Sequence, residues 1–407
     1  MKRYCLFIFS LVFSVAIFAQ EDGEPEITLA GGDGLKFVAK DNSASLKLGV
    51  RFQPLLAINY EDFEVFTNPN LDEIQMSIRR ARIKFDGFVY NPKWVYKFEL
   101  AFGNRNIGGI GSNTSNGARI ILDAVIKYEF AKKTYFWFGQ TKLPGNRERV
   151  VSSQKLQFVD RSIANGRYNI DRDMGFQLHG NYAINGKPIN LALALSMGEG
   201  RNITDFNAGG LEYTARAEFL PFGKFKSKGD YSLADLAREE THKLSIGATI
   251  DYNQNAVRQR GNQGTYMVTD TGTLYNQSLS TVMVDAIWKY NGWSALGEFF
   301  YKNAPSPIMY DSTGADVRAF YVGTGYSVQL GYVFKSNWEV AGRVSQVLPN
   351  SGVDLKLGNQ TQYTACVSRY ILGHALKFQT DITYSVYELQ PSASDNWQFR
   401  FQMEIAL

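Results

Sequence analysis

Apolar and polar positions alternate along this chain with a period of two, most plainly in its last eleven residues. Trp397, Phe399, Phe401, Met403, Ile405 and Leu407 fall on one side; Gln398, Arg400, Gln402 and Glu404 fall on the other. Successive side chains of a strand face opposite sides, so this stretch predicts a strand with one apolar and one wet face. The pattern recurs in Leu46–Leu48–Val50–Phe52, in Trp94–Tyr96–Phe98–Leu100–Phe102 and in Ile120–Leu122–Ala124–Ile126–Tyr128–Phe130. It returns in Ile189 to Met197, Leu211 to Phe219, Leu244 to Tyr252, Val282 to Tyr290, Tyr326 to Phe334 and Leu376 to Val386. We count about 16 such segments, with the parity of Tyr135–Leu143 and Gln362–Leu372 left open. An all-β chain whose strands carry lipid on one face and water on the other is a transmembrane antiparallel barrel, and about 16 strands suit its length.

The connections sort by length. Seven lie between an even strand and the next odd one, and six of these are short, among them Asn91-Pro92-Lys93, Ala131-Lys132-Lys133 and Asn291-Gly292. The eight on the other rim are long, near residues 61–75, 103–118, 144–172, 198–210, 253–280, 303–318, 348–360 and 387–396. Short turns at one rim and long loops at the other are the layout of an outer-membrane barrel with periplasmic termini. The exception is residues 221–241, where Ser232 and Asp235 stand at capping-box spacing and predict a short periplasmic helix. Aromatic pairs at the short turns (Tyr90 with Trp94, Phe130 with Tyr135, Tyr290 with Trp293, Phe334 with Trp338) predict a girdle at the headgroup level.

The beginning of the chain reads differently. Lys2 and Arg3, the apolar run Tyr4 to Phe18 and the small residue Ala19 have the three parts of a secretory signal, expected over residues 1–19. No other segment approaches the roughly 20 apolar residues of a spanning helix. Residues 20–44 carry little to bury and are expected to be a flexible periplasmic lead-in, leaving 45–407 as one barrel domain. Cys5 departs with the signal, so Cys366 has no partner for an intrachain disulfide. Lys2 and Arg3 are two of 43 basic residues, so the remainder holds 41 against 39 acidic, a net charge of +2. Any charge preference must therefore come from local placement.

Parity locates the lumen. In the second strand Ile83, Phe85 and Val89 share the outer face, which sends Arg80, Arg82, Lys84 and Asp86 inward. The three basic residues form a ladder of about 7 Å per step, able to pass an anion between weak sites. Arg51 and Arg119 are inward basics of the same kind. The wider lumen is mixed, since Lys97, Lys127, Arg216, Lys289, Arg343 and Lys377 face nearly as many acids, including Glu99, Asp123, Glu218, Asp285 and Asp381. The loop 144–172 contains Arg147, Arg149, Lys155, Arg161, Arg167 and Arg172, and a stretch compatible with helix from Arg147 to Ser162. It also holds Val150, Val151, Leu156 and Phe158, which need burial. Folding into the pore would bury them and make a constriction loop.

These features carry a family resemblance. Gly139-Gln140-Thr141-Lys142-Leu143-Pro144, the Arg/Glu-rich stretch with Ser152-Ser153 and Phe158, and then Arg172-Asp173 with Gly175 resemble the phosphate-selective porin O and P family. Gly373-His374 with Leu376-Lys377, Asp381 and Tyr384 is similar to its penultimate hairpin. The resemblance implies a 16-stranded homotrimeric channel in the lipid bilayer of the outer membrane, passing small anions such as phosphate through a basic constriction. Arg80, Arg82 and Lys84 match the ladder that family is known for, and the loop arginines match its constriction loosely. Two departures stand: the lumen is mixed, and the final residue is Leu407 rather than an aromatic.

Other chemistry finds little support. His179, His242 and His374 are scattered without metal-ligand spacing. The Gly-rich stretch 108–117 lacks the lysine of a phosphate-cradling loop, and no nucleophile constellation or nucleic-acid patch can be assembled. No metal and no cofactor is expected. The expectation is passive diffusion of small hydrophilic solutes, anions foremost; the rivals are a non-selective general porin and a barrel whose external loops serve adhesion or anchoring.

Overall fold

The cylinder closes because the final strand hydrogen-bonds to the first long one. The computed structural model describes residues 26–30, 34–60, 74–107, 118–389 and 394–407. In it Asn396–Ala406 runs antiparallel to Ala44–Tyr60, with Trp397 opposite Tyr60 and Ala406 opposite Arg51. Eighteen strands share one sheet; sixteen form the closed barrel and a hairpin extends it. In chain order the hairpin is β1 (Glu26–Ala30) and β2 (Gly34–Val38). The barrel continues with β3 (Ala44–Tyr60), β4 (Ile74–Val89), β5 (Asn91–Ala101), β6 (Ile121–Ala131), β7 (Thr134–Lys142) and β8 (Arg172–Ile184). Next come β9 (Lys187–Ser196), β10 (Glu212–Phe219), β11 (Lys243–Ala256), β12 (Gln277–Tyr290) and β13 (Trp293–Asn303). A small separate hairpin, β14 (Ile308–Tyr310) with β15 (Asp316–Ala319), sits in the following loop. The last staves are β16 (Gly323–Val333), β17 (Trp338–Pro349), β18 (Asn359–Leu372), β19 (Leu376–Glu388) and β20 (Asn396–Ala406). Closure leaves no unpaired barrel edge for hydrocarbon to meet.

Alternation becomes two faces. On β12 Val282 and Val284 are exposed while Met283, Asp285 and Ile287 are buried. The open parities resolve the same way: Phe136 and Phe138 face out, and so do Tyr363, Val367 and Ile371. Tyr135 therefore points inward, and its expected place in the aromatic girdle is corrected; Trp94, Trp293 and Trp338 stay on the outside. Short and long connections occupy opposite rims as the spacing predicted.

The lead-in differs from expectation where it is described. β20 ends opposite Arg51, so the first residues of β3 would be an unpaired edge. The β1–β2 hairpin covers it, with Leu35 opposite Leu48 and Val38 opposite Ser45, which satisfies backbone groups that a flexible lead-in would leave bare. The expected signal over residues 1–19 and the Gly-rich stretch 108–117 lie outside the described residues, as do parts of the loops near 61–75 and 387–396.

The interior is not uniformly polar. Inward Met283 and Phe300 pack with Leu143, Ala164, Tyr168 and Ile170 of the long loop after β7. Inward Ile287 and Leu296 pack with Val151 and Leu156 of the same loop and with Leu220, Phe225 and Leu233 of the periplasmic connection. The helix expected after Ser232 is absent. Residues 221–241 instead turn into the barrel mouth through a 3-10 segment, Lys226–Tyr231. Ser232 bonds His374 rather than capping, and Asp235 accepts the Gly292 amide at 2.8 Å. Apolar Leu233 has a wall to bury against, and that outweighs local helix signals.

Candidate functional site

The loop between β7 and β8 folds inward and crosses the lumen. It is not one helix over Arg147 to Ser162. Two short helices, Arg147–Val150 and Ile163–Tyr168, flank a 3-10 turn, Ser153–Lys155. Its backbone breaks so often because its side chains must reach opposite walls. Val151, Phe158 and Val159 are at most 1 % exposed, so the expected burial of the loop's apolar groups is met inside the barrel. The landing wall is cut to fit. A Cβ at Gly325 on β16 would lie 2.7 Å from the Tyr168 ring, and one at Gly331 would strike the Gln157 amide.

Most of the basic residues read from the sequence turn out to be anchors. Arg147 is fully buried; it reaches Asp285 at 2.9 Å, Glu218 at 3.1 Å and the carbonyl of Asp230 at 3.0 Å. Arg149 pairs with Asp171. Arg161 donates to the carbonyls of Glu148 at 2.7 Å and Val151 at 2.8 Å. Arg167 stacks over Tyr321, and the Lys155 carbonyl accepts the Leu233 amide. Arg51 donates to Ser153 Oγ at 2.7 Å and faces Glu404.

The ladder residues of β4 have carboxylate partners as well. Arg80 is turned to Gln53 and to loop residue Asp160, at 2.7 and 2.8 Å, and Lys84 lies 2.5 Å from Asp86. Arg82 pairs with Glu99 at 2.7 Å but keeps its buried Nε unpartnered. Arg119 makes no ion pair among the described residues. A register shift beside Pro54 puts Arg79 on the same side as Arg80, and it too binds Asp160, at 2.6 Å; strict alternation would have sent it to the lipid.

Between this loop and the β4–β10 wall lies a cavity of about 830 Å³. It runs from the short-turn rim, at Lys133 and Gly186, to mid-barrel at Thr141 and Arg172. Nine basic residues line it against three acids, Glu99, Glu218 and Asp230. Of the residues singled out from sequence, Arg82 and Arg172 are there. Arg172 is held by a two-pronged contact to Asp123, each arm 3.1 Å. Alternation places Lys97, Lys127 and Arg216 inside; it is silent on Lys133, Lys224 and Lys228, which lie in turns and irregular segments, and on Lys142, which ends β7, the strand whose parity is open in the sequence. Lys142 donates to three carbonyls, of Arg149, Val150 and Val151, at 2.8 to 3.1 Å, and so fixes the loop from the wall. Lys127 Nζ sits 3.6 Å above the Trp137 ring, which stacks on His179. Among the described residues no three His, Cys, Asp or Glu side chains converge as a metal site.

At the short-turn rim, the floor of the loop is joined to the barrel through a histidine. His374, in the turn before β19, shares a 2.9 Å hydrogen bond with Ser232, and its carbonyl accepts from Gln154. Burial first, then Lys377, Lys155 and Lys289, push its imidazole well below the usual 6.5. A base whose folded pKa is depressed contributes stability above its unfolded pKa and loses it as pH falls below that value. The temperature at which the barrel unfolds in detergent is therefore expected to drop between pH 7 and 5, and His374→Gln to flatten that slope. An equal slope in the variant would remove the joint from this role.

The comparisons agree with this architecture. The structure superposes on an anion-selective porin of Comamonas acidovorans with a TM-score of 0.55 at 10% identity, covering 89% of this chain and 100% of that one. The outer membrane channel DcaP of Acinetobacter baumannii gives a TM-score of 0.56 at 12% identity, covering 93% and 100%. Salmonella typhi OmpF, in complex with daunomycin, gives 0.54 at 12%, covering 94% and 100%. At such identities the likeness shows the fold alone. No curated protein matches the sequence. The profile of phosphate-selective porin O and P matches residues 49–403, nearly the whole barrel. A closed sixteen-stranded barrel with an infolded loop, matched along its length by that profile, makes this chain a channel protein of the bacterial outer membrane and a member of the phosphate-selective porin O and P family.

Proposed function

We propose that the protein is a diffusion channel preferring small anions, phosphate among them, and that it works as a homotrimer after removal of residues 1–19. The observation that carries this reading is the lining of the passage, with nine basic residues against three acidic. Lys127, Lys133, Lys224 and Lys228 make no ion pair among the described residues, so their charge acts on whatever enters. In a narrow, low-dielectric passage such charges replace part of an anion's hydration and concentrate it locally. Arg82 and Arg172 stand at the inner end, where each is partly neutralised by a carboxylate. Partial neutralisation keeps binding weak, which flux requires. Membership of the phosphate-selective porin O and P family and the likeness to the anion-selective Comamonas porin support the same reading.

Reversal potentials in planar bilayers under a potassium chloride gradient test the proposal. Anion preference is expected, with chloride conductance falling as phosphate is added to the same bath. A cation-selective reversal potential would end this reading. Cross-linking in detergent reports the trimer, expected as a three-chain band.

A further inference from the structure

Behind the long-loop rim, on the side of the barrel facing away from the Arg82 ladder, oxygen atoms collect without donors. Glu212 opens β10 and lies opposite Asn253 of β11; Thr214 lies opposite Asp251, and Asp251 opposite Thr281 of β12. All five point into the barrel and are at most 5 % exposed. Cross-strand neighbours stand about 5 Å apart at Cβ, so their side chains meet over one patch. Three buried oxygens there have no hydrogen-bond partner: Glu212 Oε1, Asn253 Oδ1 and Thr281 Oγ1. Glu212 and Asp251 make no ion pair among the described residues, unlike Glu218 and Asp285 on the same wall.

The neighbours do not supply what is missing. Asn262 Nδ2 and Ser196 Oγ serve only the other Glu212 oxygen, at 3.1 and 3.4 Å, and Thr214 serves Asp251 at 2.7 Å. Asn253 spends its amide nitrogen on the carbonyl of Gly198. Lys302, opposite Thr281, donates to the carbonyl of Arg260 at 3.0 Å. One ammonium beside two carboxylates leaves a net negative charge in a site closed to bulk water, a costly arrangement unless a further cation enters.

We propose that Glu212 and Asp251, completed by the Asn253 amide oxygen and the Thr281 hydroxyl, bind a divalent calcium ion. Calcium takes six to eight oxygen ligands in irregular geometry, and carboxylate, amide and hydroxyl oxygens on rigid strands suit it better than the strict octahedron of magnesium. The ion would tie the β10–β12 wall to the external loops that bring in Gly198 and Asn262. It lies away from the anion passage and is independent of the selectivity proposed above.

The test uses the full-length protein purified in detergent, treated with a chelator and then dialysed against calcium. About one calcium per chain is expected by elemental analysis. A rise in unfolding temperature on the order of 5 °C is expected when calcium is in large excess over its dissociation constant. Magnesium at the same concentration should do less. Glu212→Gln with Asp251→Asn keeps the volumes and removes both charges, so the barrel should fold, retain no calcium and ignore its addition. Wild-type protein that retains no calcium and shows no shift would overturn the proposal, and would leave a shared proton or a buried water between the carboxyls. Should the double variant fail to fold, the wild-type titration decides alone.

Discussion

Asp160→Asn is expected to loosen the infolded loop, raise single-channel conductance and destabilise the barrel by about 2 kcal/mol, the worth of hydrogen bonds to a charged group that is partly buried. Asp160 sits where the loop meets the β3–β4 and β20 walls. Its carboxylate takes Arg79 at 2.6 Å, Arg80 at 2.8 Å and Arg400 at 3.5 Å. Burial alone would raise its pKa, but Arg79, Arg80 and Arg400 hold the carboxyl well below the usual carboxylate range. The asparagine would leave Arg79 and Arg80 without a carboxylate, while Arg400 would keep its two-pronged contact to Asp381 at 2.7 and 2.8 Å. Because the folded pKa is depressed, this anchor is intact above the ordinary carboxylate pKa of about 4 and weakens as pH falls below it. Conductance traces and unfolding temperatures of the variant should resemble those of the wild type in strong acid. Unchanged conductance together with an unchanged unfolding temperature would show that the loop is held by its other contacts.

Reversing three lysines of the passage is expected to abolish anion preference. Lys127, Lys133 and Lys224 line the cavity, and none makes an ion pair among the described residues. Lys127→Glu, Lys133→Glu and Lys224→Glu together would turn a lining of nine basic and three acidic residues into an even balance. None of the three holds the infolded loop, unlike Lys142 and Lys377, whose ammonium groups are occupied by loop carbonyls. The barrel should therefore fold as before. The measurement is the reversal potential under a salt gradient, which should move to near zero or change sign. Loss of selectivity on Arg80→Ala, with the triple variant unaffected, would instead restore the ladder of the second strand as the selective element. Screening matters here: the difference should shrink above about 1 M salt, where the Debye length is near 3 Å.

Much of the site could be read from residues, and the failures have a pattern. Val151, Leu156 and Phe158 need burial whatever the fold, so composition calls for a packed loop, and infolding is one of the two ways to pack it. The landing place was also written in the chain. Met283 and Ile287 on β12, and Leu296 and Phe300 on β13, occupy inward positions that a purely wet lumen would not give to apolar groups. Parity with apolar residues on both faces marks the filled side of a barrel, and the open passage lies across from it. The glycines of β16 carry the same signal, since inward Gly325 and Gly331 leave room for Tyr168 and Gln157.

The barrel, its strand faces, its two rims and the need to bury the loop after β7 are legible along the chain, because each follows from period-2 alternation, loop length or local composition. Which inward charges are anchors and which face the passage is set by closure of the barrel and the path of the infolded loop. Arg147 finds Asp285 and Glu218, and Asp160 finds Arg79 and Arg400, across scores of residues and across the lumen. Whether a buried guanidinium is neutralised or left to meet an ion depends on which carboxylate closure of the cylinder brings within about 3 Å, and no spacing along the chain encodes that distance.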